Sequence, residues 1–278
     1  MKSRLGWWFI GSWLMCWVCV VEAAPKSDLW DYWNVSNEQS AQEVQHGQWA
    51  RFLSGYLHSD SAGNNLVNYA SVSEKDRSSL NQYVAQLEAI DPLSLNRNQQ
   101  MAYWINLYNA VTVRLILENY PVKSITKLGG WLSFGPWDKE LVHVNGKSLT
   151  LNDIEHRILR PIWRDKRIHY AVNCASVGCP NLNSEPYLAG RLNEQLDDAA
   201  RKFINAEKGV SLQGDSIQLS SIYDWYAEDF VDEAALFDHL FHYMEQKKAE
   251  KVKETLNKDA STIHYGYDWS LNEAPSTF

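Results

Sequence analysis

The sequence predicts an α+β fold: a single domain with N-terminal helices and a small, mostly antiparallel sheet packed on helices. Helical spacing dominates the first 120 residues, two hairpin patterns fall in the remainder, and the later strands alternate with further helical stretches. No internal repeat or low-complexity linker divides the chain. Residues 24–95 read as an N-terminal helical part, 96–273 as the α+β core and 274–278 as a tail.

Lys2 and Arg4 precede an uncharged run from Leu5 to Val21, and Val21-Glu22-Ala23-Ala24 offers small residues for a signal peptidase. This pattern predicts an export signal, residues 1–23, cut after Ala23. The competing reading is an uncleaved anchor, because about 17 apolar residues lies at the lower edge of a membrane span. The expected destination is the periplasm or the medium. Cleavage removes Lys2, Arg4 and Glu22, which turns a net charge of −8 into −9. That balance argues against nucleic acid and anionic membranes as partners, both of which need clustered Lys and Arg.

Ser36 to Leu57 has helical spacing, and Ser73 with Asp76 predicts a capped helix ending at Asp91-Pro92. From Asn98 to Asn119 the apolar residues cover every side of the wheel, the mark of a buried helix. Asn106 and Asn109 share one stripe of it and must find partners, either as a structural network or by orienting a catalytic group. Leu128 to Asp138 is a glycine- and tryptophan-rich loop. Asn145-Gly146 between alternating runs predicts a hairpin. Thr150 and Asp153 form a capping pair for the next helix, which Pro161 is expected to stop. Arg167 to Asn173 reads as a strand, Pro186 to Asn205 as a helix, Gly209 to Leu219 as a second hairpin, Asp232 to Glu254 as a helix and Ser261 to Tyr267 as a closing strand.

Two segments could carry chemistry. In the helix from Leu151 to Arg160, Glu155 falls in the middle of the apolar arc, with His156 about 100° round. A carboxylate aimed into a core needs a buried Arg, a His or several N–H donors. Neighbours on a helix do not face each other, so Glu155 is expected to serve His169 or an arginine rather than His156. The second segment follows the strand and holds Cys174 and Cys179, the only cysteines after the signal. They are open to three readings: a disulfide, the default for an exported pair; a metal site, weakly signalled by this spacing; or a nucleophilic thiol activated by a histidine. Odd spacing puts His169 and Cys174 on opposite faces of a regular strand, an obstacle that His156 does not meet.

His239 and His242 are three apart on one helix, compatible with a metal but equally with an ordinary aromatic face. Asp224 and Asp268 each sit beside aromatics and could orient a histidine or bond loop N–H groups. There is no phosphate-cradling glycine loop, no Gly-x-Ser-x-Gly elbow and no HExxH, and no cofactor is implied.

The stretches AYWINLYNAVTV, LNDIEHRILRP, RIHYAVNCASVGCPNL, LSSIYDWYAEDF and YDWSLN, spread in order from Gln99 to Asn272, resemble domain of unknown function 547, in its exported bacterial form. The resemblance implies a fold similar to papain-like thiol peptidases and transpeptidases, with glutathione-like peptides as ligands. It implies Cys174 or Cys179 as nucleophile and His156 or His169 as base. Glu155, an asparagine or Asp268 would be the orienter, and Asn106 or loop N–H groups the oxyanion support. The chain departs from papain in that its long helix carries Asn106 and no cysteine. The resulting expectation is a cysteine-dependent hydrolase or transpeptidase acting on a small peptide or thiol-containing substrate. The alternatives are an exported binding module with a Cys174–Cys179 disulfide, contacting through Trp131, Phe134 and Trp137, and a metal enzyme using His239 and His242.

Overall fold

The computed structural model describes residues 24–130, 134–258 and 262–275; the expected export signal, residues 1–23, and Trp131 lie outside them. The fold is α+β. Helix α1 (Gly47–Tyr56) begins eleven residues later than the helical spacing suggests. Asn37 and Ser40 divert the preceding chain into turns, in which the Asn37 side chain accepts from the Gln39 N–H at 3.2 Å. A hairpin of β1 (Leu57–Ser59) and β2 (Asn65–Val67) follows. Helix α2 (Glu74–Glu88) starts at Ser73, whose hydroxyl accepts from the Asp76 N–H.

Helix α3 (Arg97–Glu118) is the central pillar: 17 of its 22 residues are buried, so other elements pack around it on all sides. The hairpin of β3 (Val142–Val144) and β4 (Lys147–Leu149) turns through Asn145 and Gly146, both at positive φ, as a tight two-residue turn requires. Beyond it a helical stretch contains a π segment, Asp153–Leu159, and runs on into α4 (Arg160–Trp163). Pro161 therefore does not end the helix.

The expected strand at 167–173 is instead a helical turn, α5 (Ile168–Ala171), followed by extended chain. Helix α6 (Leu192–Asn205) then leads to β5 (Val210–Gln213) and β6 (Ser216–Ser220), an antiparallel pair. Two short helices, α7 (Ile222–Trp225) and α8 (Ala227–Phe230), precede α9 (Glu233–Tyr243) and α10 (Gln246–Leu256). The single helix expected from Asp232 to Glu254 is split. Asn205 of α6 bonds both sides of the break, donating to the Tyr243 carbonyl and accepting from the Glu245 N–H. Strand β7 (Thr262–Gly266) closes the fold by pairing parallel to β6. The strands are mostly antiparallel, as expected, but divided among three small sheets.

Two hydrophobic clusters result. One surrounds α3 and includes Val172; the other holds Tyr170, α6, β6 and α9. The turn α5 passes from one to the other, and a cavity of about 630 Å³ opens at this seam. Among the described residues, no helix is long and apolar enough to cross a membrane.

Candidate functional site

The π segment shapes one wall of the cavity. Its entry is fixed by a reciprocal box: the Asp153 N–H donates to the Thr150 hydroxyl, and Asp153 accepts from the Thr150 N–H, each at 3.0 Å. At its other end Pro161 has no N–H to give. The carbonyls of His156 and Arg157 accept instead from the backbone N–H groups of Asp28 and Trp30, both at 3.0 Å. The wider turn brings Glu155 and His156, adjacent in sequence, to the same cavity. A wheel drawn at 100° per residue separates them.

The opposite wall is the cysteine loop. Asn109 of α3 clamps its start, donating to the Ala171 carbonyl and accepting from the Asn173 N–H. Asn173 closes the loop on itself, accepting from the Ala175 N–H and donating to the Pro180 carbonyl. Ala175 is held at positive φ (57°), a conformation that costs energy without glycine. The closing segment straps the loop from outside: the Val177 N–H donates to the Ser270 carbonyl and the Gly178 N–H to the Asp268 carbonyl. A Cβ on Gly178 would stand 2.6 Å from the Asp268 nitrogen, so this approach requires glycine.

Both cysteines are free, Cys174 half-buried and Cys179 buried. The Cys174 sulfur lies 3.0 Å from the Ser176 hydroxyl and 3.0 Å from the Tyr267 hydroxyl. Burial would push its thiol up, but hydrogen bonds from Cys179, Ser176 and Tyr267 outweigh burial and the net direction is down. Burial pushes Cys179 well up, and its interaction with Cys174 adds to the effect. If either sulfur is a nucleophile, the electrostatics favour Cys174.

His169, also in the lining, presents Nε2 to an Asp229 carboxylate oxygen at 2.7 Å. A carboxylate accepts, so Nε2 carries a proton. The other ring nitrogen, Nδ1, is buried and has no hydrogen-bond partner among the described residues. His156 is arranged the opposite way. Its Nδ1 lies 3.0 Å from Nη1 of Arg160, which can only donate. The neutral ring therefore has its proton on Nε2 and acts as a donor. Burial holds His156 below its usual range, Arg160 adds to that, and Glu155 opposes it. Tyr226 stacks on His169 at 4.1 Å between centroids. Burial works against ionising Glu155, yet His156, His169 and Tyr226 hold its carboxyl below the usual range. Asp229 is likewise lowered: burial is overcome by hydrogen bonds from His169 and Arg160. Arg160, deeply buried, also donates to Glu228 and to the Pro25 carbonyl.

Cys174, Cys179, His156, His169 and Glu155 thus line one cavity. The helical turn of α5 removes the obstacle that strand spacing set between His169 and Cys174. Neither sulfur forms a hydrogen bond to a ring nitrogen; the partners of Cys174 are hydroxyls and the neighbouring cysteine. Asn106 is not part of the cavity. Its amide bonds the Tyr187 backbone in both directions and lies 3.3 Å from Nε2 of His46, a network that ties down a loop. Asp268 bonds Ser270 within its own turn, and Asp224 is exposed. His239 bonds the Tyr170 hydroxyl in the second cluster, apart from the cavity. Among the described residues, no three His, Cys, Asp or Glu side chains converge as a metal-binding set.

Sequence reasoning missed Arg160, Tyr226, Asp229 and Tyr267. Arg160 was findable, since it stands one helical turn from His156. Asp229 and Tyr267 reach the site only through tertiary folding.

Comparison with known families matches residues 92–204 to the model described as protein of unknown function, DUF547. Comparison with curated proteins and with solved structures returned no match. The matched stretch contains α3, the π segment and the cysteine loop, so over this region the chain is similar to that family.

Proposed function

We propose that the protein is an exported, cysteine-dependent hydrolase or transpeptidase acting on a small peptide or thiol-containing substrate, with Cys174 as nucleophile and His169 as proton carrier. One observation carries the reading. A reduced, half-buried Cys174 held by two hydroxyls shares a cavity with a histidine that is oriented by Asp229 and has its second nitrogen unpartnered among the described residues. An acceptor nitrogen facing a reacting group is what general base catalysis needs.

In this reading the Cys174 thiolate attacks a substrate carbonyl. His169 Nδ1 takes the thiol proton and passes it to the leaving nitrogen, while Asp229 keeps the ring in its productive tautomer. His156, with its proton on Nε2, is a donor for the developing oxyanion. Water or an amine then cleaves the thioester, which regenerates the thiol. The missing sulfur–imidazole bond is compatible with such a site, because catalytic hydrogen bonds are often long before substrate binds.

The second reading, a binding module closed by a Cys174–Cys179 disulfide, is favoured by the closeness of the two cysteines, with the Cys174 backbone N–H donating to the Cys179 sulfur at 2.9 Å. Mass spectrometry of the exported protein separates the two readings. The enzyme reading expects a chain beginning at Ala24, two free thiols and, with thioester substrates, an acyl adduct on Cys174 that Cys174→Ala lacks. Two mutually bonded cysteines in the exported protein, or acylation elsewhere, would overturn it.

A further inference from the structure

The cavity's lining has a chemical bias of its own. Phe134, Trp137, Trp269, Trp225 and Tyr267 form an unbroken run of rings, with neighbouring centroids 4.5–6.1 Å apart. The run reaches Cys174, because the Tyr267 hydroxyl touches its sulfur. No Lys or Arg is among the described residues that line the cavity, whereas Glu155 and Asp138 both are. The guanidinium of Arg160, which bonds the lining residue His156, is also engaged by Asp229, Glu228 and Pro25. A ligand carboxylate entering here would lose water without gaining an ionic partner, at considerable cost. A ligand cation would meet the negative faces of the rings and two carboxylates. Contact with an aromatic face alone contributes about 0.5–2 kcal/mol.

Resting on the thiol-enzyme reading, we propose that the cavity selects its substrate through a cationic amine seated against Trp225 and Trp269, in the field of Glu155 and Asp138. The substrate is then a peptide or amide with a free amino or guanidino group near the reacting carbonyl. Free carboxylates of a glutathione-like ligand would have to point out of the cavity.

Calorimetric titration of the full-length mature protein and of Cys174→Ala with three probes of similar size tests this: 2-phenylethylammonium, 2-phenylethanol and phenylacetate at pH 7.5. The expected result is at least roughly tenfold tighter binding of the cation than of the neutral probe, with the anion weakest. Glu155→Gln and Asp138→Asn should each narrow the cation-to-neutral ratio, and Trp269→Leu should weaken the cation most. Asp138 is exposed, so its variant remains informative if Glu155→Gln fails to fold. Equal or tighter binding of either other probe, or no binding of any probe, overturns the proposal. Because Cys174→Ala lacks the proposed nucleophile, the charge preference is read separately from the chemistry. A slow thiol in the wild type beside an intact cation preference would defeat the enzyme reading alone.

Discussion

Two buried polar regions of this molecule look alike in the sequence and differ in the structure. Around Asn106 and Asn109 the amides are paired with the backbone of Tyr187, Ala171 and Asn173. Around Cys174 and His169 the pairing stops short: Nδ1 of His169 has no partner among the described residues, and His169 lines a cavity. Buried polar groups are normally satisfied, so amides that close their hydrogen bonds on the backbone are architecture, although the Tyr187 hydroxyl beside them has no partner among the described residues. A ring nitrogen left unpaired on a residue that lines a cavity is a candidate for chemistry. The lesson is to follow each polar atom to its partner, because residue type and burial alone do not distinguish the two.

Substitutions can break this comparison. The largest effect is expected for His169→Asn. Activity toward a thioester substrate should fall by roughly 10²–10⁴, with the urea midpoint little changed. A large loss of stability with activity per folded molecule preserved would move His169 into the architectural class.

The next effect belongs to the amide side and is read by pH. Burial lowers His46 from 6.5 to about 4, so the folded ring resists a proton that the unfolded chain accepts. The corresponding stability is complete above pH 6.5 and drains away as pH falls toward 4, by up to roughly 3 kcal/mol. Urea titrations at pH 7.5 and 4.5 should show a smaller drop for His46→Gln than for the wild type. Equal drops would mean that His46 is not held neutral.

How much of this was legible in the sequence depended on range. The buried α3, the Asn145-Gly146 turn and the Thr150–Asp153 box follow from residues a few positions apart, and all form as expected. The segment at 167–173 misled because Ile168, Tyr170 and Val172 suit a strand. Its helical turn is held by Asn109, 62 positions away from Ala171. The π segment defeats any wheel that assumes 3.6 residues per turn. Within the site, the cysteines, His156, His169 and Glu155 could be read as chemistry-bearing residues. Their tautomers could not, because Arg160 and Asp229 set them, and Asp229 comes from 60 residues beyond His169.

Smaller effects sharpen the contrast. Asn106→Ala leaves the Tyr187 N–H and carbonyl without their partner and should cost about 1–3 kcal/mol in denaturant unfolding. Its effect on Cys174 alkylation should be slight. A strong effect on that rate would tie Asn106 to the site after all. Tyr267→Phe removes one hydroxyl from the Cys174 sulfur and should raise the thiol and slow its alkylation at pH 7. Stability measured in parallel separates this from a packing defect.

The most direct measurement is iodoacetamide alkylation of the reduced mature protein from pH 5 to 10, with each cysteine followed by peptide mass. Hydroxyl-supported ionisation predicts that Cys174 reacts with a midpoint below the value of about 8.5 usual for a free cysteine, while Cys179 stays inert. Cys174 reacting no faster than Cys179, or only above that value, would contradict the account.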